Sequence, residues 1–243
     1  MRKVLITGVS RGIGKATAKL LAQEGYYIVG TYKSNKQAAE QLKTEIKNID
    51  LFQVDLSKRS ETLEFVEKLK NENFYAIVNN AGILNFEQWE QLTLENWDTT
   101  LEVNVTAPLL ICHGLRKSIG AGGVIINVSS TDGLKGALAS IPYAVSKAAL
   151  TNLTLSLANV FGPQNVRVIS LAPGWIGDGM GSPVIEDAKW FNPLGRTAEF
   201  NEIASAISLL LSEKASFING TNFIVDGGSM AVDYCIKKEN DLT

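Results

Sequence analysis

Seven short runs rich in β-branched residues recur along the chain, and a longer stretch of helical pattern separates most of them. They lie at residues 3–7, 27–32, 49–54, 75–79, 124–128, 166–171 and 222–225. In the first helical stretch Ile13, Ala16, Thr17, Leu20 and Leu21 fall on one face, a 3.6-residue period. Further helices are expected over about 36–47, 60–71, 94–118, 142–161 and 199–211. Strands that alternate with helices imply a parallel sheet covered on both faces. No linker, low-complexity run or internal repeat divides the 243 residues, so one domain over 1–243 is expected.

Composition narrows the function classes. Hydrophobic residues make up 45% and charged residues 20%, the balance of a soluble globular protein with a sizeable core. A net charge of −2 offers no bulk attraction to nucleic acid or to an anionic membrane, and neither is expected as a partner. Cys112 and Cys235 are far apart and His113 is the lone histidine, so no metal site or disulfide framework is expected. Cys112 and His113 read as packing or interface residues within a helix. No apolar run approaches the ~20 residues of a membrane span. The N-terminus enters an apolar strand without a signal-peptide pattern, and a cytoplasmic location is expected.

Two local patterns carry chemistry. The first strand ends in Thr7-Gly8-Val9-Ser10-Arg11-Gly12-Ile13-Gly14 and a helix follows. Gly8 allows a tight turn, Gly12 lets the backbone approach a pyrophosphate, and Gly14 lets helix and sheet pack closely. The helix N-terminus then presents free N–H groups to the anion. Farther along, Tyr143 and Lys147 stand four apart in a helical stretch and share a face. A cation beside a phenol stabilises phenolate, so Lys147 is expected to lower the Tyr143 pKa and make it a usable acid/base. A third argument concerns Asn104: Pro108 has no N–H, and its ring clashes with the carbonyl four residues back. A kink there should leave the Asn104 carbonyl free to accept from a water.

In this order the motifs resemble the short-chain dehydrogenase/reductases over roughly residues 3 to 228, most nearly the 3-oxoacyl-acyl-carrier-protein reductase-like members. The marks are the glycine turn, Asp55, Asn79-Asn80-Ala81-Gly82, Asn104, Ser130, Tyr143, Lys147, Pro173-Gly174 and Asp226-Gly227-Gly228. The resemblance implies a Rossmann-type, doubly wound, seven-stranded α/β fold. It implies a catalytic set of Asn104, Ser130, Tyr143 and Lys147, in which a water on Asn104 joins a proton relay to Lys147. Ser130 rather than Ser129 fits its spacing to Tyr143, and Ser129 would point to the other side of a strand. The cofactor would meet Gly8, Ser10, Arg11, Gly12, Ile13 and Gly14 at its pyrophosphate. Asp55 and Leu56 would meet the adenine, and Asn80, Ala81 and Gly82 its ribose. Tyr143, Lys147, Pro173, Gly174 and Ile176 would flank the nicotinamide.

The end of the second strand reads Tyr32-Lys33-Ser34-Asn35, without the acid that accepts from a ribose 2′-hydroxyl. Arg11, Lys33 and Ser34 could bind a 2′-phosphate, so NADP(H) is expected over NAD(H). The chain departs from the family pattern at Asp178, which stands where a Thr usually meets the carboxamide. Asp178 can accept from that amide but cannot donate. A glycine- and aromatic-rich stretch at about 175–195 is expected to form a mobile substrate flap. A short tail follows over 229–243.

The expected activity is NADPH-dependent, reversible reduction of a ketone or aldehyde. Phe86, Trp89, Leu134 and Leu138 would lend the substrate pocket an apolar part. Alternatives are an epimerase or dehydratase with transient oxidation, and a non-catalytic NADP(H)-binding sensor. Members of the family are usually dimers or tetramers, so a homodimer or homotetramer is expected.

Overall fold

The computed structural model describes residues 1–177 and 192–233. Its strands are β1 (Lys3–Ile6), β2 (Tyr27–Tyr32), β3 (Ile49–Gln53), β4 (Phe74–Asn79), β5 (Ile119–Val128), β6 (Arg167–Pro173) and β7 (Asn222–Val225). All seven pair in parallel in the order β3-β2-β1-β4-β5-β6-β7. The helices are α1 (Gly12–Gln23), α2 (Lys36–Glu45), α3 (Arg59–Leu69), α4 (Leu94–Leu101), α5 (Ala107–Gly114), α6 (Ile141–Phe161) and α7 (Phe200–Leu211).

Strand pleating divides the core into two layers, because successive side chains point to opposite faces. Val4 and Ile6 of β1 join Ala76, Val78, Val124 and Ile126 in packing against Leu21 of α1 and Ile203, Ile207 and Leu210 of α7. Leu5, Ile77 and Ile125 face the other way, onto Phe65 of α3, Ile111 of α5 and Phe161 of α6. Each fully buried side chain of this size contributes about 1.5–3 kcal/mol relative to exposure. The sheet grows in one direction through β2 and β3, and in the other from β4 onward. A crevice therefore opens at the carboxyl ends of β1 and β4, where such folds bind ligands.

Two elements differ from the sequence expectation. Residues 94–118 do not form one helix: α4 runs into a π-turn over Glu102–Thr106 before α5 begins. The Ala107 N–H bonds to the Glu102 carbonyl five residues back, and Pro108 follows directly. The expected irregularity is thus one extra residue in a turn, a recognised route to a kink. β5 also begins at Ile119 rather than Val124. Gly120, Gly122 and Gly123 hide it from a search for β-branched residues, and its pairing with β4 shifts register between Phe74 and Ala76.

Gly228, Ser229 and Met230 are held by the Asp226 carboxylate, which accepts from the Gly228 and Met230 N–H groups and the Ser229 hydroxyl, each at 2.8 Å. Among the described residues no helix is long and apolar enough to cross a membrane. No cluster of three or more His, Cys, Asp or Glu could hold a metal among them.

Candidate active site

A cleft of about 1100 Å³ runs along the carboxyl ends of the strands, from the glycine turn to Ser130 and Tyr143. At one end Gly8 and Gly12 adopt φ of 75° and 57°, the left-handed region that disfavours side chains. Gly14 is packed so closely that a Cβ there would lie 2.1 Å from the Gly8 carbonyl oxygen. The Thr7 hydroxyl accepts from the Asn80 and Ala81 N–H groups at 3.0 and 2.9 Å. The Asn80 amide in turn donates to the Thr7 and Gly8 carbonyls at 2.8 and 3.2 Å. The glycine turn is therefore tied to the end of β4 as well as to its own helix.

Beyond the turn, Lys33 lies 3.1 Å from Asp55. Ser57 donates to the same carboxylate oxygen through its hydroxyl at 2.6 Å and its N–H at 3.0 Å. Burial pushes the Asp55 carboxyl up, but the bonds from Ser57 and Lys33 outweigh it and hold the group below its ordinary range. The Lys33 cation is thus shared with Asp55, in a pair exposed enough to exchange readily. Arg11 is exposed and makes no ion pair among the described residues.

At the opposite end, α6 starts at Ile141 with Pro142 in its first turn, where a missing N–H costs nothing. Tyr143 and Lys147 rise from that first stretch. The Lys147 ammonium sits 5.5 Å from the Tyr143 ring centre and donates to the Val128 carbonyl at 2.8 Å. Burial pushes Lys147 down to about 8. Tyr143 moves the opposite way from the sequence expectation. Burial pushes its phenol up to about 12; the hydrogen bond with Ser130 pulls it down, and Asp132 adds to the rise. Tyr143 as a residue keeps partial exposure, and water that reaches it offsets some of that push. Lys147 spends its short contact on a backbone carbonyl rather than on the phenol oxygen, which is why its cation does not win.

Ser129 and Ser130 follow the end of β5, and their hydroxyls take different partners. The Ser129 hydroxyl turns back to the Lys147 carbonyl at 2.9 Å and to Thr151 at 2.8 Å. Ser130 faces the cleft, where its hydroxyl accepts from the Asp132 N–H at 3.1 Å.

Asn104 lies behind the wall, fully buried in the π-turn. Its amide donates to the Ile83 carbonyl at 3.0 Å and the Ser146 hydroxyl at 2.9 Å, and accepts from the Ile83 N–H at 2.9 Å. Asn104→Ala strips partners from buried groups, so it should lower unfolding free energy by about 1–3 kcal/mol. Urea denaturation checks this, and an unchanged midpoint and slope would contradict the clamp.

Ser10, Arg11, Gly12 and Ile13 of the turn line the cleft with Gly8, and so do Lys33, Ser34, Asp55 and Leu56. Asn80, Ala81, Gly82, Pro173, Gly174 and Ile176 do as well. Gly14 and Asn104 support the wall without lining it. Asp178 and most of the expected flap, with Met180, Trp190 and Phe191, lie outside the described residues. Phe86 and Leu138 line the cleft, whereas Trp89 and Leu134 do not.

Sequence reasoning missed several residues of the cleft wall, and two of them bear on its shape and charge. Phe200, at the start of α7, brings its ring 3.5 Å from where a Gly12 Cβ would stand and 2.7 Å from a Gly177 Cβ. No spacing rule links positions so distant in sequence. Asp132 is the other, and its only signal was proximity to Ser130.

A family model described as Enoyl-(Acyl carrier protein) reductase matches residues 8–230, almost the whole chain. A solved short-chain dehydrogenase from Burkholderia cenocepacia J2315, in complex with NADP, matches with a TM-score of 0.89 at 28% identity, covering 94% of this chain and 98% of that one. The chain belongs to the short-chain dehydrogenase/reductase family. Two further members align over nearly their full lengths. The uncharacterized oxidoreductase YgfF of Escherichia coli (strain K12) is 37% identical over 247 residues, covering 94% of this chain and 100% of that protein. The 3-oxoacyl-(acyl-carrier-protein) reductase FabG of Aquifex aeolicus (strain VF5) is 35% identical, covering 92% and 95%. This short-chain dehydrogenase/reductase is accordingly an oxidoreductase.

Proposed function

We propose that the protein reduces a ketone or aldehyde to an alcohol with NADPH, reversibly. The observation that carries this reading is the meeting of the Tyr143 phenol, the Ser130 hydroxyl and buried Lys147 at one end of a cleft whose other end is the glycine turn. Ser130 holds the reacting oxygen and offsets negative charge that develops there. Tyr143 gives that oxygen its proton, or takes it in the reverse direction. Lys147 orients a ribose and returns the proton to Tyr143, through a water held at the Asn104 carbonyl.

The residues present fit a dinucleotide. Gly8 and Gly12 keep side chains out of the turn, and a Cβ on Gly82 would press to 3.3 Å from Asn104 and 3.4 Å from Lys147. NADPH supplies the hydride when bound. Gly8–Gly14 would hold its pyrophosphate, Asp55 and Leu56 its adenine, and Lys147 with Pro173–Ile176 its nicotinamide half. NADP or NADPH is present in solved relatives, including the Burkholderia protein. Arg11, Lys33 and Ser34 would take the 2′-phosphate, with Lys33 moving from Asp55 to the ligand.

The double variant Arg11→Ala/Lys33→Ala should raise the NADPH KM about tenfold or more and leave the NADH KM nearly unchanged, since a hydrogen bond to a charged group contributes about 1.5–3 kcal/mol. Equal effects on both nucleotides would count against a 2′-phosphate site.

The reaction is tested by following NADPH and NADH consumption against ketones, aldehydes and 3-oxoacyl thioesters, beside Tyr143→Phe. NADPH turnover that depends on Tyr143 supports the reading, and tight NADPH binding without turnover on any carbonyl favours a sensor. Association into a dimer or tetramer is supported by the exposed apolar side chains Val145, Leu155 and Val160 of α6 and Leu109 of α5.

A further inference from the structure

The substrate end of the cleft contains a carboxylate that the reaction itself does not require. Asp132 follows Ser130 by two residues, and its N–H donates to the Ser130 hydroxyl at 3.1 Å. That bond fixes the backbone from which the carboxylate projects into the cleft wall. The Asp132 side chain is about one-third exposed, and its nearest cation is Lys135, 3.7 Å away and itself half-exposed. A pair of that length and exposure neutralises little.

The remaining charges of the described wall are few. Arg11, Lys33 and Asp55 lie at the dinucleotide end, around the glycine turn and the ends of β2 and β3. Lys147 shares the Tyr143 end with Asp132 but donates to the Val128 carbonyl. The groups that reach the phenol are therefore Ser130 and Asp132 on the turn after β5, with Lys135 behind, and Lys147 on its own helix. The neighbouring wall residues Phe86, Ala137, Leu138 and Ser140 carry no charge. Asp132 thus confronts whatever lies beside the reacting carbonyl with an under-compensated negative charge.

We infer that Asp132 is a specificity-determining residue, favouring carbonyl compounds with an ammonium or hydroxyl donor next to the reacting carbon and disfavouring those with a carboxylate there. This rests on the carbonyl-reductase reading above and refines its substrate class. A carboxylate accepts from either donor and repels a like charge across the cleft. The same field opposes phenolate formation at Tyr143, which links substrate choice to the pH response of the enzyme.

Three ketones of one size separate the effects: aminoacetone, hydroxyacetone and pyruvate. Their kcat/KM values are compared with NADPH for the wild type, Asp132→Asn and Lys135→Ala. Asn keeps the shape and the N–H bond to Ser130, so the substitution removes charge alone. The wild type should prefer aminoacetone and hydroxyacetone to pyruvate. Asp132→Asn should shrink the aminoacetone-to-pyruvate ratio about tenfold, and Lys135→Ala should leave it within about twofold. In Asp132→Asn the alkaline rise of the reverse reaction, alcohol oxidation, should also move to lower pH, a change that a purely structural residue would not produce.

A ratio unchanged within about twofold in Asp132→Asn, alongside turnover that requires Tyr143, overturns the inference and leaves the reductase reading intact. Absence of Tyr143-dependent turnover on all three ketones and on the wider carbonyl panel strikes the reductase reading instead. In that case ligand-observed NMR on the NADP⁺-loaded protein decides about Asp132. Binding of aminoacetone but not pyruvate, lost in Asp132→Asn, upholds its selectivity, and indifference to charge overturns it.

Discussion

Tyr143→Phe should lower kcat for carbonyl reduction by about 10²–10⁴-fold, the contribution of a positioned proton donor. NADPH affinity and thermal stability should change little. Phe retains the ring that packs at the start of α6, and among the described residues the one hydrogen bond lost is that to Ser130. Ser130 still accepts from the Asp132 N–H, so its hydroxyl is not released to wander. The pH profile sharpens the test. Burial holds the phenol above its ordinary value in the free protein, so at neutral pH it is protonated and ready to donate. Reduction should therefore be nearly flat through neutral pH, whereas alcohol oxidation, which needs the phenolate, should climb as pH rises. Both behaviours should vanish in Tyr143→Phe. Retention of more than about a tenth of wild-type kcat would mean that another group delivers the proton.

Gly14→Ala should be the most damaging change at the nucleotide end. In an unconstrained helix the substitution would add about 1 kcal/mol of stability. Here the new methyl would stand 2.1 Å from the Gly8 oxygen, 2.9 Å from the Gly8 carbonyl carbon and 2.6 Å from the Asn80 amide nitrogen. Two of those atoms are backbone, and the third is the amide that holds the Thr7 and Gly8 carbonyls. Nothing yields without reshaping the turn. Overpacking of this kind costs about 1–3 kcal/mol, with a drop in Tm of about 2–4 °C for each in a chain of this length. NADPH affinity, read by calorimetric titration, should fall more than tenfold if the displaced groups form the pyrophosphate cradle proposed above. Gly120→Ala, with open space around its Cβ, is the matched control. If both variants bind NADPH like the wild type, the close packing does not shape the site.

Much of this was legible because it depends on local periodicity. The seven strands and the glycine turn follow from residues near one another in sequence, and so does the shared face of Tyr143 and Lys147. The side on which Ser129 and Ser130 would fall was readable from the two-residue alternation of a strand. What escaped depends on burial and on distant contacts. The sign of the Tyr143 shift was misjudged because a sequence shows that a lysine is near but not that its ammonium is bonded to Val128. Lys33 was read only as a candidate for a 2′-phosphate, because its pairing with Asp55 needs the parallel alignment of β2 and β3. The start of β5 was hidden by glycines whose strand conformation is fixed by neighbours rather than by propensity. Asp132 and Phe200 had no motif to announce them.

The π-turn at Glu102–Thr106 also has a bearing on how this chain can vary. An α-helix advances about 100° per residue. Loss of one residue from that turn would restore a regular ladder, but it would rotate α4 by about that angle relative to α5. Thr99 and Val103, which reach the cleft, would swing away from it, and Asn104 would leave Ile83 and Ser146. The length of this segment acts as a clock setting for one wall of the cleft. Side chains there can be exchanged for others of similar shape, whereas a single deletion would mistime every residue on the upstream helix at once.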